Sequence, residues 1–428
     1  MSPQLAYTII TLGSATLWGV VSGWLLYFYL PPGEPPLVPL ALYGIVILIS
    51  KAVNIAIALP VGYISDNTNS SWGRRLPYII GGAIALPILF ILLWTPPNTA
   101  SSNFTLLYLF LVLLAFNLAY EIHQVPYESL LPELAVGEKE RVTISTWKTG
   151  FLLVGNILAA FTGPLIGWGG YVRTMLIFAV IVAPIMILPG FLLKKHINPN
   201  YQPSTQISFL TSLKITFSNH NFQIFAISWG LFWMGATFML ELLPYIVTEV
   251  FGLRASDTVY FYLPAIGITL IAFPLIIRLS DKYGMKAVYR GSLLAGALNL
   301  PLLMFIGDWM PIPLLAQGIL WMALQSAGLA GAQILPSAMI AEITDDDEVV
   351  TGHRREGSFY SMWGLLNQAA SGLGLTIIPM FLLLGRSKTD PHGPLGVRLL
   401  GLLGGILLLI AYWVFQHYKV KTREVQHD

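Results

Sequence analysis

Long apolar runs without charge constrain this chain more than any other feature. Ile84–Trp94, Leu106–Ala119 and Leu399–Phe415 contain no charged side chain. Crossing the hydrocarbon core of a bilayer takes about 20 such residues as a helix, and a helix satisfies every backbone polar group internally. Charged residues make up 10% of the chain, whereas roughly a quarter of a soluble domain is charged. The sequence therefore predicts an all-α polytopic membrane protein.

Polar and Pro/Gly-rich breaks divide the chain into twelve predicted transmembrane helices. The longest break, 194–220, falls halfway along and predicts a cytoplasmic linker. It would join two pseudo-symmetric six-helix bundles at 1–193 and 221–418, and a cytoplasmic tail would follow at 419–428. The predicted spans are 5–30, 37–64, 76–95, 104–131, 143–166, 172–193, 221–248, 258–279, 287–306, 311–342, 357–384 and 394–418.

Lysine and arginine residues orient these spans. With both termini in the cytoplasm, the inner loops and tail carry about three times as many of them as the outer loops, the bias that the positive-inside rule describes. Shifting the count by one span would scramble this asymmetry. We therefore expect a multi-pass protein of the cell (inner) membrane with both termini cytoplasmic.

Two loop sequences recur in the two halves. "GYISDNTNSSWGRR" after the second span is echoed by "IRLSDKYGMKAVYR" after the eighth, and "QVPYESLLPEL" is echoed by "ILPSAMIAEIT". In each of the first pair, Ser-Asp ends one helix and basic residues begin the next. We interpret these loops as cytoplasmic gates, one per half, in which the aspartate caps a helix or pairs across helix ends. The predicted gate residues are Gly62, Asp66, Arg74, Arg75 and Asp281.

Two parallel six-helix halves resemble the plan of the major facilitator transporters. Three stretches are similar to one branch, the glycoside–pentoside–hexuronide cation symporters typified by the melibiose carriers. They are "DNTNSSWGRRLP" at Asp66–Pro77, "VPYESLLPEL" and the following Glu-Arg within Val125–Arg141, and "TGHRREGSF" within Asp345–Leu366. The first stretch also resembles the sucrose transporters. The resemblance implies a major facilitator fold and a secondary active transporter, most simply of a sugar or glycoside, that works by alternating access.

The resemblance also implies positions for substrate binding. Aligned on the Val-Pro and Glu-Arg anchors, the acidic and basic residues that bind sugar in this branch correspond to Gln124 and Lys148. Glu128, one turn on, stands where the family has an aromatic residue and would supply the missing carboxylate. Amides and aromatic faces in other spans suit a sugar, which presents both hydroxyls and C–H patches. The predicted substrate-binding residues are Glu128, Lys148, Gln124, Tyr120, Trp233, Gln325, Asn367 and Gln368.

Ionisable groups inside spans suggest how transport is coupled, because burying them in lipid costs several kcal/mol. The two aspartates of the family sodium site correspond to the neutral residues Asn54 and Ala58. We therefore expect symport with a proton or another cation through different groups. Asn117, Glu121, Gln124 and Glu128 share one face of the fourth span at i, i+4, i+7 and i+11, whereas His123 lies off it and is interpreted as a packing residue. The predicted coupling residues are Glu121, Glu128, Glu241, Lys51 and Asn54.

Other functions stay open at this stage. The chain could be a transporter-fold sensor or assembly factor for membrane complexes, or a carrier of a lipid-like solute. The chain contains no cysteine and no catalytic constellation, and we expect neither an enzyme nor a cofactor, a metal site or a nucleic-acid partner. The expected partners are a small-molecule substrate, a proton or sodium ion and the lipid bilayer, with the protein a monomer. We interpret the acidic run Asp345–Glu348 as a solvated loop that pairs with Arg354 and Arg355.

Overall fold

Each predicted span corresponds to a helix in the computed structural model, which describes residues 2–97, 101–134, 138–194, 216–352, 356–385 and 393–419. No strand occurs in these ranges, and the all-α fold is confirmed. The helices are α1 (Pro3–Tyr29), α2 (Leu40–Asn67), α3 (Leu76–Leu92), α4 (Ser102–Glu128), α5 (Glu138–Ala160), α6 (Thr162–Leu193), α7 (His220–Tyr245), α8 (Val259–Tyr283), α9 (Met285–Asn299), α10 (Leu314–Thr351), α11 (Glu356–Leu382) and α12 (Leu395–Phe415).

Short helical segments extend or join these helices. Leu131–Leu134 forms one turn after α4, a π-helical turn at Ile246–Val250 continues α7, and 3-10 turns at Ala255–Thr258 and Leu300–Met304 adjoin α8 and α9. By length and composition, ten helices of the described chain could cross a membrane. The apolar α3 has 17 residues, and α5 begins with the charged sequence EKER. The helices therefore agree with a multi-pass membrane protein.

The tenth span ends later than the sequence predicted. It was expected to stop at residue 342, but α10 continues to Thr351. No glycine or proline interrupts 337–351, and Gly352, with φ of 71°, supplies the left-handed residue that commonly ends a helix. The interpretation of Asp345–Glu348 as a loop is therefore wrong, and its expected partners Arg354 and Arg355 lie outside the described residues.

The boundary predicted between the fifth and sixth spans is marked by a glycine. Gly170 has φ of 72° and ψ of 176° and interrupts α6, a backbone conformation that side chains with a Cβ rarely adopt. The predicted sixth span began at residue 172, beside this break. The predicted fifth span extended to residue 166, whereas α5 ends at Ala160 and the chain turns at Phe161 before α6 begins.

Contacts group the chain into two compact units. The first comprises Met1–Thr205, Leu240–Leu263 and Gly385–Gly393; the second comprises Gln206–Met239, Pro264–Leu384 and Pro394–Asp428. In the first unit, α1 packs against α5 and α6, and α4 packs against α2 and α3. In the second, α9 packs against α10 and α12. The predicted linker 194–220 and tail 419–428 lie mostly outside the described residues.

Helices α3 and α4 approach closely at Gly82. A Cβ on Gly82 would lie 2.7 Å from His123 Cβ and 2.8 Å from Ala119 O, whereas one on the adjacent Gly81 would meet nothing within 4 Å. The His123 side chain is fully buried, and its Nδ1 lies 2.8 Å from Ile79 O. This histidine therefore has the packing role that the sequence predicted.

We expect Gly82→Ala to destabilise the folded protein by about 1–3 kcal/mol, because the added methyl group would overpack the α3–α4 contact. Gly81→Ala is the matched control, since alanine there enters open space and is expected to stabilise the helix by about 0.5–1 kcal/mol. Thermal unfolding of both purified variants in detergent checks the difference. Equal unfolding midpoints for the two would contradict the close packing.

Candidate functional site

The fourth helix presents a carboxylate–lysine–amide group at its end. Lys148 Nζ on α5 forms an ion pair with Glu128 Oε2, and Gln124 Nε2 donates a hydrogen bond of 2.7 Å to Glu128 Oε1. The Lys148 side chain is 23% exposed and the Glu128 side chain 47% exposed, so both remain accessible to a ligand. The Gln124 carbonyl oxygen is buried and has no partner among the described residues. The structure thus brings three predicted binding residues together.

Tyr127 supports this group and was missed by the sequence analysis. Lys148 Nζ lies 5.3 Å from the centre of the Tyr127 ring, within the range of a cation–π interaction. The Tyr127 hydroxyl donates to Tyr7 O at 3.0 Å and lies 2.7 Å from Thr11 Oγ1. Its position inside the "VPYES" motif was the available signal, but only the tertiary contacts show that it lies beside Lys148.

An aromatic surface is formed by Trp18 on α1 and by Tyr120, which lies one turn before Gln124 on α4. The rings of Trp18 and Tyr120 are 5.0 Å apart and tilted by 35°, and Lys51 Nζ on α2 lies 4.4 Å from the centre of the Trp18 ring. Lys51 is 9% exposed and Asn54, one turn on, is 3% exposed. Desolvation strengthens such cation–π contacts. The first unit therefore combines an exposed ion pair with a buried lysine held on an aromatic face.

Two carboxylates accompany the buried lysine. Lys51 interacts electrostatically with Glu241 and Glu121, which are 7% and 4% exposed. Glu241 belongs to the segment Leu240–Leu263, and Tyr245 attaches this segment to α1 by donating to Leu30 O at 2.7 Å. Buried charges that lack partners are strongly destabilising. Three of the five predicted coupling residues, Lys51, Glu121 and Glu241, are therefore near enough to interact electrostatically.

The second unit contains an aromatic cluster centred on Trp229, which the sequence analysis did not select. Trp229 Nε1 donates a hydrogen bond to Asn367 Oδ1. Its ring stacks on Trp233 at 5.7 Å and lies 5.6 Å from Trp363, whose Nε1 is buried without a partner among the described residues. The predicted residue Gln368 is adjacent and half-buried on α11. Asn367 and Trp233 therefore share one cluster.

Gln325 lies elsewhere in the second unit. Asn299 Nδ2 on α9 donates to Gln325 Oε1 at 2.8 Å, and Trp321 Nε1 donates to Asn299 O at 3.0 Å. Gln325 is 4% exposed. These bonds connect α9 with α10, so the contacts of Gln325 are those of a helix-packing residue, and the structure does not bring it to the Trp229 cluster.

The predicted gate residues of the first unit form a buried charge contact. Arg75 Nη2 lies 2.6 Å from Asp66 Oδ1, with the two side chains 7% and 15% exposed. Arg75 Nη1 also donates to Ser129 O, so one arginine connects the ends of α2, α3 and α4. Arg74 is also buried. A Cβ on Gly62 would meet Val125 at an ordinary 3.5 Å, so space does not require glycine there.

The repeat of this gate in the second unit differs. Asp281 is exposed and forms no ion pair with any described residue. The basic residues that follow it make other contacts: Lys286 Nζ donates to Gln416 O at 3.1 Å, and Arg290 Nη2 donates to the Tyr412 hydroxyl at 3.0 Å. The sequence echo therefore does not reproduce the Asp66–Arg75 contact.

We expect Arg75→Ala to destabilise the protein by about 3 kcal/mol, because removing one partner of a buried ion pair is strongly destabilising. Arg75→Lys should recover only part of the loss, since lysine cannot form the forked contacts of a guanidinium. Arg278→Ala, on the exposed end of α8, is the control. Thermal unfolding compares them, and an unchanged midpoint for Arg75→Ala would contradict a stabilising contact.

Comparisons with known proteins identify the family to which the chain belongs. The sequence model of a family described as MFS/sugar transport protein matches residues 6–421. The isoprimeverose transporter of Lactiplantibacillus pentosus is 22% identical, with 90% of this chain and 80% of that protein covered. The raffinose carrier protein of Pediococcus pentosaceus is 22% identical, with 98% and 69% covered. A symporter of Synechocystis is 24% identical, with 89% and 85% covered.

Solved structures show the same fold. The nucleoside transporter NupG superimposes with a TM-score of 0.72 at 18% identity, covering 98% of this chain and all of that one. A bacterial homologue of the iron transporter ferroportin gives 0.67 at 16% identity, with 98% of each chain covered. The relatives and structural neighbours are membrane transporters rather than enzymes. With a family match over nearly its whole length, the chain belongs to the MFS/sugar transport protein family and is a multi-pass transporter of the major facilitator fold.

Proposed function

We propose that the protein is a proton-coupled symporter of a sugar or glycoside. The observation that carries this proposal is the Glu128–Lys148–Gln124 group, in which the Glu128 carboxylate lies within hydrogen-bonding reach of both the Lys148 ammonium and the Gln124 amide. Neighbouring hydroxyls of a sugar ring suit such a mixed set of donors and acceptors. The names of the isoprimeverose transporter and the raffinose carrier favour the same class of solute.

Each residue of this group has a distinct task in the proposal. The Glu128 carboxylate accepts hydrogen bonds from sugar hydroxyls, the Lys148 ammonium donates to hydroxyl oxygens, and the unpartnered Gln124 carbonyl accepts a further bond. Hydrogen bonds to charged groups contribute about 1.5–3 kcal/mol each, more than neutral ones. Trp18 and Tyr120, near the same face of α4, offer aromatic surface to the C–H face of the ring.

The coupling ion proposed is a proton. Asn54 and Ala58 replace the two aspartates to which the resemblance assigns sodium binding, and a neutral amide and a methyl group cannot supply the charge that compensates a dehydrated cation. Lys51, Glu121 and Glu241 provide ionisable groups instead. Protonation of Glu241 would remove one of the two counter-charges near Lys51, and this changes the charge balance of the first unit in one step.

During transport the carrier alternates between a state open to the cytoplasm and a state open to the outside. The Asp66–Arg75–Ser129 contact acts as a cytoplasmic gate that alternating access opens and closes. The halves 1–193 and 221–418 are the moving parts, both termini lie in the cytoplasm, and the protein functions as a monomer in the cell membrane. Charged loops of this kind are needed by a carrier that cycles, whereas a sensor or assembly factor would not need them.

A two-stage experiment tests the function. First, a panel of sugars and glycosides is screened for thermal stabilisation of the purified full-length protein. Second, each stabilising compound is offered to proteoliposomes under an imposed proton gradient, a sodium gradient or neither. We expect one sugar class to stabilise the protein and to accumulate only with the proton gradient. Accumulation with sodium alone would overturn the coupling, and a panel without any ligand or uptake would favour the sensor.

A further inference from the structure

A cavity of about 730 Å³ lies at one end of the second unit, and none of the predicted substrate-binding, coupling or gate residues lines it. Its lining residues are His220, Lys286, Gln416, His417, Tyr418 and Lys419. Two lysines and two histidines thus surround it, and none of these six residues is acidic. Three different elements contribute to it: the start of α7, the start of α9 and the segment that follows α12.

Specific hydrogen bonds hold the segment after α12 in place. Asn221 Nδ2 donates to Lys419 O at 2.9 Å, and Lys419 N donates to Asn221 Oδ1 at 3.0 Å. Lys286 Nζ donates to Gln416 O at 3.1 Å and to Tyr418 O. The Tyr418 hydroxyl donates to Glu342 Oε2 at 3.3 Å. The cavity therefore has a wall fixed by contacts with α7, α9 and α10.

The hydrogen bonds that hold the segment after α12 involve only some of the basic side chains that line the cavity. Lys286 satisfies carbonyl groups at the end of α12, where a cation also interacts favourably with the helix dipole. Lys419 takes part through its backbone alone, and neither its side chain nor that of His220 forms an ion pair with a described residue. Both are exposed. The Lys419 ammonium and the ring nitrogens of His220 are therefore available to an anion that enters the cavity.

An exposed apolar stripe leads along α12 to this cavity. Leu402, Ile406, Ile410 and Trp413 follow one another at spacings of four and three residues, and each is 37–59% exposed. His417 continues the stripe four residues after Trp413 and lines the cavity. On a membrane-spanning helix, such a face contacts acyl chains, and tryptophan prefers the level of the headgroups. The acyl surface therefore ends where the basic cavity begins.

We propose that this cavity binds the headgroup of an anionic phospholipid, whose acyl chains lie along the α12 stripe. Basic pockets at the ends of membrane helices are suited to phosphate-bearing headgroups. A free phosphate would use the same charges but would gain nothing from the stripe. The predicted orientation places the site in the cytoplasmic leaflet, and the lipid would connect the segment after α12 with α7 and α9.

Lipid binding to the full-length protein tests this proposal. Phosphatidylglycerol or phosphatidylcholine is titrated into detergent-solubilised protein, and bound lipids are counted by native mass spectrometry. We expect retention of phosphatidylglycerol in preference to phosphatidylcholine. Lys419→Glu should weaken phosphatidylglycerol binding about 25-fold, from about 1 kcal/mol for each of two units of charge. Lys282→Glu, the same charge change on an exposed residue of α8 outside the cavity, should leave it unchanged.

Three results would overturn the proposal: equal retention of the two lipids, equal weakening by Lys419→Glu and Lys282→Glu, or displacement of phosphatidylglycerol by millimolar inorganic phosphate. The last would identify a site for a free anion. If Lys419→Glu does not fold, Lys419→Gln replaces it, because only the backbone of Lys419 bonds to Asn221, and about a fivefold loss is then expected.

Discussion

Replacing Glu128 with glutamine is expected to reduce sugar uptake by about 10- to 100-fold while the protein stays folded. The substitution keeps the shape of the side chain but removes the charge that pairs with Lys148. Hydrogen bonds to a charged group are worth about 1.5–3 kcal/mol, and each 1.4 kcal/mol corresponds to a factor of ten in affinity. Initial rates in proteoliposomes, at matched amounts of reconstituted protein, measure the loss.

A charge-swapped variant separates binding from simple stabilisation. Glu128→Lys combined with Lys148→Glu retains an ion pair in the reverse orientation, so the thermal unfolding midpoint should stay near that of the wild type. Uptake should nevertheless remain lost, because donor and acceptor now face the wrong sugar atoms. Glu34→Gln, on an exposed residue between α1 and α2, is the neutral control. Normal uptake by Glu128→Gln, or recovery by the swap, would refute a role in substrate binding.

Glu241→Gln is expected to abolish accumulation driven by a proton gradient while exchange of solute across the membrane continues. A gradient of one pH unit supplies about 1.4 kcal/mol for each coupled proton, which corresponds to about tenfold accumulation. Glutamine imitates the protonated carboxyl but cannot release a proton, so the accumulation ratio of the variant should fall to about one. Counterflow of labelled sugar with saturating unlabelled sugar inside measures the exchange that should remain.

Glu121, the second carboxylate near Lys51, is the comparison that tests whether Glu241 carries the proton. Glu121 also interacts with Lys51, and Glu121→Gln should weaken accumulation less than Glu241→Gln. If Glu121→Gln alone eliminates gradient-driven accumulation, Glu121 is the proton carrier and the assignment to Glu241 is wrong. A variant Glu241→Gln that still accumulates sugar about tenfold would rule out proton coupling through this residue.

Much of the fold could be predicted because a bilayer restricts a spanning chain to few solutions. The spans followed from long apolar runs with few charges, and the break near Gly170 was visible as a polar, glycine-rich boundary. The end of α10 was not predicted correctly, because the acidic residues at Asp345–Glu348 suggest a solvated loop. A helix can expose such residues equally well. Helix ends depend on local stop signals such as Gly352 more than on polarity.

The candidate site was predictable where one helix carries its residues. Helical periodicity alone places Gln124 and Glu128 on one face of α4, and a family resemblance points to Lys148. Partners from other helices were not predictable in this way. Trp229 and Tyr127 look like ordinary packing residues in the sequence, and only the folded chain shows that they adjoin Asn367 and Lys148.

The sequence by itself determined that this protein is a helical membrane protein, since the composition leaves no soluble alternative, and its loop motifs predicted a transporter family. The tertiary structure decided which polar residues meet. It joined Lys51 to carboxylates of α4 and the Leu240–Leu263 segment, assigned Gln325 to helix packing, and left Asp281 without the contact that its echo Asp66 makes. The physical reason is that side-chain pairing depends on the rotation and depth of each helix, which a hydropathy pattern of one helix does not specify.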